Sequence, residues 1–279
     1  MISPEADAAL TADELSRVSA FVYQRTGMLF EERKRYYIDR RVAGRILATD
    51  SRDFADYFGL LRSSDAEAQE LINSFTVNET YFYREEHQLR CLSRSLLPEV
   101  VKPKKPGDLV RIWSLPCSTG EEPYSIALWL LENWALVDVY NIEIVGSDID
   151  TQAVAAAKRG LYGKRALSRL PEAVVKAYFE AGPRGGREII DDLKESVKFT
   201  QVNIVDSASV AAQGSFDVIF CRNLLIYFDD ASRESAVANL HRALNPGGFI
   251  CLGHTESMSR ISDRFETRRF EDAIVYGRA

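Results

Sequence analysis

The sequence predicts an α/β fold in which a doubly wound, Rossmann-like parallel sheet follows an all-helical N-terminal domain. Between Val110 and Leu252, four short runs rich in β-branched and aromatic residues alternate with helical segments. This alternation is typical of a parallel sheet with helices on both faces. Before Phe75, in contrast, apolar residues recur at spacings of three and four, with no strand-like alternation.

The helical region begins with a recognisable start signal. Thr11 followed by Glu14 is a capping-box pattern, so the first helix is predicted to begin near Thr11. The apolar positions with helical spacing are Leu15, Val18, Phe21, Val22, Ile38, Val42, Ile46, Leu71, Ile72 and Phe75. We assign residues 1–85 to a helical domain and residues 86–279 to the sheet domain.

Within the sheet domain, predicted strands and helices alternate. The strands are Val110–Trp113, Ile142–Gly146, Phe216–Phe220 and Gly248–Leu252, and the helices after the first three are Pro123–Leu131, Thr151–Lys158 and Ala231–Leu244. A helix is also predicted over Glu85–Leu97, and the proline-rich stretch Pro98–Asp108 is typical of a linker. Residues 160–200 interrupt the rhythm with a glycine-rich turn between short β-rich runs, including Val197–Phe199. They predict a small inserted antiparallel β subdomain.

Composition and charge exclude several kinds of protein. No uncharged apolar stretch approaches the roughly 18 to 20 residues that cross a bilayer, and the N-terminus lacks a signal-peptide pattern, so we predict a cytoplasmic protein without membrane insertion. Four widely separated cysteines and three histidines predict neither a disulfide framework nor a metal site. The formal net charge of −6 argues against nucleic acid as a partner.

A basic cluster contrasts with this negative total. Seven basic residues lie between positions 33 and 52: Arg33, Lys34, Arg35, Arg40, Arg41, Arg45 and Arg52. They predict a cationic helix face on an anionic protein.

The turn after the first strand carries acids. In an open α/β sheet the ligand binds at the carboxyl ends of the strands, where the first strand-to-helix turn lies. A dinucleotide-binding turn needs several glycines for close approach of the pyrophosphate. Here the turn is Ser118-Thr119-Gly120-Glu121-Glu122, with one glycine and two carboxylates. Acids suit a cationic, phosphate-free ligand, and S-adenosylmethionine fits that description.

A further acid ends the second strand. Asp148 follows Glu121 by 27 positions and is placed to accept both ribose hydroxyls of a nucleotide-like cofactor. Asp150 suits the cap of the next helix. The alternative is that both acids are only caps. The segments 202–206 and 221–228 follow later strands and are expected at the same edge of the sheet.

Five ordered motifs identify a family resemblance. They are Asn78–Glu85, Ser118–Ser125, Ser147–Asp150, Phe220–Asn223 together with Ile226–Phe228, and Gly253–Ser257. From about residue 11 to the C-terminus, the chain resembles the CheR family of chemotaxis receptor methyltransferases. The resemblance implies a class I S-adenosylmethionine methyltransferase domain with an antiparallel β subdomain, after a helical domain. It also implies methylation of glutamate side chains in chemoreceptors, with S-adenosylhomocysteine as the product.

The resemblance also implies individual site residues. Cofactor contacts are implied for Asn78, Thr80, Arg84, Glu121, Asp148, Asn203, Ile204, Arg222 and Asn223. Glu121 is the preferred ligand of the turn, whereas Glu122 is expected to stabilise the positive end of its helix. No function is attached to Cys117.

The implied substrate suggests a mechanism. A glutamate side chain has an ordinary pKa of about 4.3, so it is already a nucleophile at neutral pH and needs no general base. Alignment then carries most of the catalysis. Candidates for holding the carboxylate are Arg84, a fork-shaped donor, and Tyr227, whose alternative role is a packed aromatic.

Partner contacts follow from the same resemblance. Substrate docking on the acidic helical bundle of a receptor is predicted for Arg33, Arg40, Arg41 and Arg45, with a plain solvated helix face as the alternative. A receptor C-terminal peptide is a candidate partner of the β subdomain by strand addition. Both contacts imply recruitment to membrane receptor arrays.

Other functions remain open. One is a non-catalytic scaffold that binds receptors or cofactor, and another is a methyltransferase of a different substrate. The sequence lacks an Asn-Pro-Pro-Tyr or Asp-Pro-Pro-Tyr motif, which argues against base methylation. The missing glycine fingerprint argues against a nicotinamide dehydrogenase.

Overall fold

The structure, a computed structural model, describes residues 9–30 and 34–278. The chain divides into two compact units. The helical unit runs to Val77 and also includes Tyr227–Ser232, and the sheet unit comprises Asn78–Ile226 and the residues from Arg233 onward.

Four helices build the helical unit: α1 (Ala12–Thr26), α2 (Arg35–Ala48), α3 (Phe54–Ser63) and α4 (Asp65–Phe75). The predicted capping box is confirmed, because the Thr11 hydroxyl accepts the Glu14 backbone N–H and the Glu14 carboxylate accepts that of Thr11. Each helix turns its apolar stripe inward, and Val18, Val42 and Leu61 are fully buried.

Residues 78–85 pack with the sheet unit rather than with the helices before them. Phe82 is fully buried, and its ring meets the edges of Tyr162 at 4.8 Å and Phe179 at 5.5 Å between centroids. The units therefore divide after Val77, close to the end of the helical periodicity at Phe75 and eight positions before the assigned boundary at residue 85. Burial of a single aromatic anchor leaves no periodic signal in so short a segment.

The sheet unit is built on a seven-stranded sheet with the order β6-β2-β1-β7-β8-β10-β9. Its strands are β1 (Leu109–Ser114), β2 (Asn141–Asp148), β6 (Val197–Gln201), β7 (Phe216–Cys221), β8 (Leu244–Leu252), β9 (Glu266–Arg269) and β10 (Ile274–Gly277). The first five run parallel, and β10 and β9 complete the sheet in antiparallel pairing. The helices between them are α7 (Glu121–Asn133), α8 (Thr151–Arg159), α11 (Ser207–Ala211) and α12 (Asp230–Ala243).

Three strands of this sheet differ from the sequence prediction. The run Val197–Phe199 was expected in the inserted subdomain, but as part of β6 it pairs in parallel with β2. Phe199 packs closely on Gly146 of β2, since a Cβ on Gly146 would lie only 2.7 Å from the Phe199 ring. β9 and β10 were not predicted. Both strands are only four residues long, and β9 is also mostly exposed and highly charged.

The inserted subdomain is smaller than expected. Its sheet has the order β3-β5-β4, formed by β3 (Leu161–Tyr162), β4 (Phe179–Ala181) and β5 (Arg187–Ile189) in antiparallel pairs. Helix α9 (Glu172–Tyr178) lies between β3 and β4 in sequence, and α10 (Asp191–Glu195) follows β5.

The helix predicted over Glu85–Leu97 is longer and irregular. It comprises α5 (Glu86–Cys91), a π-helical turn (Leu92–Leu96) and α6 (Leu97–Val101). Pro98 was expected to begin a linker, but it lies in the first turn of α6, where its missing N–H costs little.

Candidate active site

The turn between β1 and α7 is shaped by two residues in the left-handed region, one of them a glycine. Gly120 has φ of 96° and precedes Glu121, the first residue of α7, while Ser118 has φ of 49°. A Cβ on Gly120 would lie 2.9 Å from both the Ala157 Cβ and the Tyr162 hydroxyl. The glycine is therefore required both for its backbone conformation and for space.

The two acids of the turn have different surroundings. Glu121 is only 4% exposed, and its carboxylate accepts the Thr119 hydroxyl at 2.6 Å. Burial raises the pKa of Glu121. Glu122 instead accepts the Ser114 hydroxyl at 2.8 Å and pairs with Arg222 at 2.8 Å. Among the described residues Glu121 has no cationic partner, so its charge is the one left for a ligand.

Asp148 ties the end of β2 to this turn. Its Oδ2 accepts the Ser118 backbone N–H at 2.8 Å and its Oδ1 accepts the Asp150 N–H at 3.0 Å. Burial raises the pKa of Asp148 to about 6. The cap of α8 is Asp150, whose Oδ1 accepts the N–H groups of Gln152 and Ala153. The alternative that both acids are helix caps is therefore wrong for Asp148.

Asn78 joins the same group. Its amide nitrogen donates to Asp150 Oδ2 at 2.7 Å, and its Oδ1 accepts the Ser118 hydroxyl at 3.0 Å. These two bonds place the beginning of the predicted Asn78–Arg84 segment directly beside the acidic turn. Thr80 and Arg84 are both partly exposed, and Arg84 donates to the Glu79 carbonyl at 2.9 Å.

Arg222 occupies an internal position. Its guanidinium pairs with Glu122 at 2.8 Å and with Glu85 at 3.3 Å, and it donates to the Arg84 carbonyl at 3.0 Å. The side chain is 4% exposed. Burial opposes the charge on Glu85, but Arg222 and His254 outweigh it and lower the pKa of that carboxyl. Arg222 therefore braces the segment before α5 against α7, and this geometry favours positioning over direct cofactor contact.

Glu256 holds two loops at the carboxyl edge of the sheet. Its Oε2 accepts the backbone N–H of Asn223 at 2.7 Å and that of Gly253 at 2.9 Å. Its Oε1 accepts those of Leu224 at 3.1 Å and Leu225 at 2.8 Å. Glu256 belongs to the motif Gly253–Ser257 of the family resemblance, but the sequence predicted no role for it, because backbone donors from distant segments leave no residue signature.

Asn203 and Ile204 follow β6 at the same edge. The Asn203 carbonyl accepts the Asp206 N–H at 3.1 Å, which forms a tight turn. Ile204 is buried, and its carbonyl accepts the Asn239 side chain at 2.7 Å. The sheet unit thus brings together segments that follow β1, β2, β6 and β7, as the sequence predicted.

Tyr227 belongs to the helical unit. Its carbonyl accepts the Leu29 backbone N–H at 3.0 Å, and the Lys34 ammonium lies 5.7 Å from its ring centroid. The ring is partly exposed. A catalytic role for Tyr227 stays a prediction.

The predicted docking arginines differ in their surroundings. Arg33 lies outside the described residues, and Arg40 is exposed. Arg41 stacks on the Tyr37 ring and donates to the Ser74 carbonyl at 2.5 Å. Arg41 is therefore bonded within the helical unit, and so is Arg45, which forms an ion pair with Glu67.

The Arg45 pair is bidentate. Nε of Arg45 lies 2.9 Å from Glu67 Oε1, and its Nη2 lies 2.6 Å from Oε2. The Tyr57 hydroxyl donates to the same carboxylate at 3.0 Å. Arg45 therefore links α2 to α4, and its two nitrogens in this pair are not available to a partner protein.

The described residues contain neither a membrane-spanning helix nor a metal-binding cluster. None of their helices is long and apolar enough to cross a membrane. No group of three or more histidine, cysteine or acidic residues among them is arranged to hold a metal ion.

Comparison with known proteins gives consistent matches. Residues 13–76 match the family "CheR methyltransferase, all-alpha domain", and residues 78–274 match "CheR methyltransferase, SAM binding domain". A chemotaxis protein methyltransferase 2 of Vibrio cholerae is 47% identical, over 96% of this chain and 93% of its own. A chemotaxis protein methyltransferase of Escherichia coli is 33% identical, over 93% and 90%.

Solved structures include distant matches. One is a magnesium protoporphyrin IX methyltransferase from Synechocystis with bound S-adenosylmethionine, at 14% identity and a TM-score of 0.35. The match covers 77% of this chain and 90% of the other.

Proposed function

The chain belongs to the CheR methyltransferase family, whose members use S-adenosylmethionine, and from this premise we propose that it methylates glutamate side chains of chemoreceptors. The products are glutamate methyl esters and S-adenosylhomocysteine. The ester would remove a negative charge from the receptor's helical bundle, which suits a role in sensory adaptation.

One observation carries the choice of cofactor. Glu121 and Asp148 are buried carboxylates at the carboxyl edge of the sheet, and no cation among the described residues pairs with either. Buried anions without a counter-charge are costly. A cationic ligand without phosphates offsets that cost, whereas a dinucleotide would add to it.

The residues of the sheet unit suit different parts of this cofactor. We assign Asp148 to the ribose hydroxyls and Glu121 to the positive end of the ligand. We also assign cofactor contacts to Asn78, which bonds to Ser118 of the turn, and to Thr80 and Arg84 of the same segment. The remaining proposed contacts are Asn203, Ile204, Arg222 and Asn223. Because the Arg222 side chain is internally paired, its contribution is expected through the position of its loop.

The bound cofactor supplies an electrophilic methyl group. The carboxylate of the acceptor glutamate is ionised at neutral pH, so this chain needs no base to activate it. Its task is to hold the carboxylate in line with the methyl group and to exclude water. We propose that the Arg84 guanidinium orients the carboxylate and that the Tyr227 hydroxyl is a second donor to it.

Receptor contacts are proposed at two further places. The α2 helix is proposed to meet the acidic bundle through Arg40, with support from Arg41 and Arg45 where their internal bonds leave donors free. The small sheet β3-β5-β4 has two outer strands, and strand addition of a receptor C-terminal peptide is proposed there. Both contacts would recruit the protein to membrane receptor arrays.

The test is transfer of tritiated methyl groups from S-adenosylmethionine to receptor signalling domains, with and without their C-terminal tails. The expected product is base-labile and maps to glutamates by mass spectrometry. A scaffold would bind S-adenosylhomocysteine in calorimetry but transfer no label, and label on nucleic acid or on a small molecule would also refute the proposal. Tyr227→Phe should lower kcat without changing cofactor affinity if the hydroxyl contacts the substrate.

A further inference from the structure

A groove in the helical unit brings together two arginines of α1 and one arginine of α3. It lies between α1 and α3, has a volume of about 520 Å³, and is lined by Arg17, Arg25 and Arg62 around Phe21 and Phe58. Sequence analysis placed the cationic surface on α2, where basic residues cluster. The sequence did not predict this groove, because only folding brings α3, with Arg62, next to Arg17 and Arg25 of α1.

Two of the arginines lie over aromatic rings. The Arg17 guanidinium carbon lies 4.4 Å from the Phe58 ring centroid, and that of Arg25 lies 5.3 Å from the Phe21 centroid. The two rings meet edge to face at 6.2 Å. Stacking uses the flat face of a guanidinium and leaves its N–H groups at the edge for a planar acceptor such as a carboxylate. The groove is therefore arranged for anions before any partner arrives.

The ion pairs of Arg17 and Arg25 with nearby acids lie at the protein surface. Asp13 lies 3.9 Å from Arg17, and Asp65 lies 3.0 Å from Arg25 with 92% of its side chain exposed. Exposed pairs of this kind contribute roughly 0 to 1 kcal/mol, so a partner carboxylate can compete with them. Arg62 is exposed and forms no ion pair with any described residue.

We propose that this groove binds carboxylate side chains on the helical bundle of a chemoreceptor, as a docking point separate from α2. The proposal rests on the proposed function, because an enzyme that esterifies glutamates must approach a surface rich in carboxylates. On a chain with a net charge of −6, that approach needs a local concentration of cations. Arg41 and Arg45 of α2 are engaged internally, whereas the α1–α3 groove presents its arginines outward.

The test compares Arg17→Gln/Arg62→Gln with the matched control Lys158→Gln/Arg94→Gln, which removes the same charge from exposed positions of the sheet unit. Methylation of a purified receptor cytoplasmic bundle is measured against bundle concentration at several salt concentrations. The groove variant should raise KM for the bundle on the order of tenfold and flatten its salt dependence. Its kcat and its affinity for S-adenosylhomocysteine should match the control.

Direct binding separates failure of this proposal from failure of the proposed function. Fluorescence anisotropy with a labelled bundle reports docking even if no methyl group is transferred. Weaker binding by the groove variant than by the control supports the docking point, and equal binding overturns it. Arg62→Glu alone guards against misfolding, because Arg62 has no ring stacking or ion pair with the described residues to lose, and it should weaken binding in the same direction.

Discussion

The carboxylate of Glu256 accepts the backbone N–H of Asn223 at 2.7 Å, although 33 residues separate them. The same side chain also holds Leu224, Leu225 and Gly253. One charged group thereby fixes the loop after β7 to the loop after β8. Asn223, a predicted cofactor contact, has φ of 59°, and these bonds help to hold that uncommon conformation.

We expect Glu256→Gln to loosen this edge of the sheet. The amide keeps one acceptor oxygen, but its NH₂ group faces backbone donors, so about two of the four bonds are lost and a repulsive contact replaces them. Cofactor affinity should fall roughly tenfold and unfolding should begin several degrees lower, by an estimated loss of about 2 kcal/mol. Glu266→Gln on the exposed edge strand β9 is the control, and equal behaviour of the two variants in calorimetry and thermal melts would remove the role of Glu256.

The neighbouring acids Glu121 and Glu122 should respond differently to the same substitution. Glu121→Gln removes an unpaired buried charge that we assign to the cofactor, so affinity for S-adenosylhomocysteine should fall by about 1 to 3 kcal/mol while stability holds or rises. Glu122→Gln takes a counter-charge from buried Arg222 and should mainly lower stability, softened by the remaining pair with Glu85. Calorimetry and thermal melts of both variants check this, and a larger loss of affinity at Glu122 would reverse the assignment.

The sequence was informative where one local pattern sets the structure. The capping box fixed the start of α1, and the β-rich runs located β1, β2, β7 and β8. It failed where distant residues decide the outcome. β6 pairs with β2, where Phe199 lies against Gly146, and β9 pairs with β10, although no local pattern marks either pairing. Contacts between distant residues also limited how well the sequence predicted the roles of the site residues.

Side-chain identity at the site was easier to anticipate than side-chain role. The acids Glu121 and Asp148 were found because charge at a ligand-binding turn is unusual in a sequence. The internal pairing of Arg222 with Glu122, and of Arg45 with Glu67, could not be anticipated, because each pair joins segments with no pattern in common. A charged residue in a motif can thus brace the site rather than contact the ligand.

Cofactor binding should weaken as the pH falls through 6. Burial raises the pKa of Asp148 from an ordinary 3.8 to about 6, so the folded protein holds this proton more tightly than the unfolded chain. Its stabilising contribution is therefore complete below pH 4 and is lost as the pH rises through 6. The ribose hydroxyls need the ionised acceptor, so binding follows the opposite direction.

Calorimetric titration with S-adenosylhomocysteine from pH 5 to 8 tests this dependence. Below the pKa of Asp148, Kd should rise about tenfold per pH unit. Asp148→Asn should bind weakly throughout and lose the midpoint near 6. A rise in Kd steeper than about tenfold per pH unit would report a second acid, and Glu121 is the candidate because burial raises its pKa as well. A wild-type Kd that stays constant from pH 7.5 to 5 would contradict the assignment of Asp148.

Crowding at Gly120 can be separated from backbone strain, because Gly107 offers a matched control. Both glycines have φ near 90°, at 96° and 86°, so alanine is strained at either position. Only at Gly120 does the new Cβ meet neighbours, with Ala157 and the Tyr162 hydroxyl at 2.9 Å. Gly107→Ala should therefore cost about 1 kcal/mol, and Gly120→Ala about 2 to 4 kcal/mol with a displaced turn and weaker cofactor binding. Urea unfolding of both variants measures the difference, and equal losses would mean that the turn relaxes and that Gly120 is needed for its conformation alone.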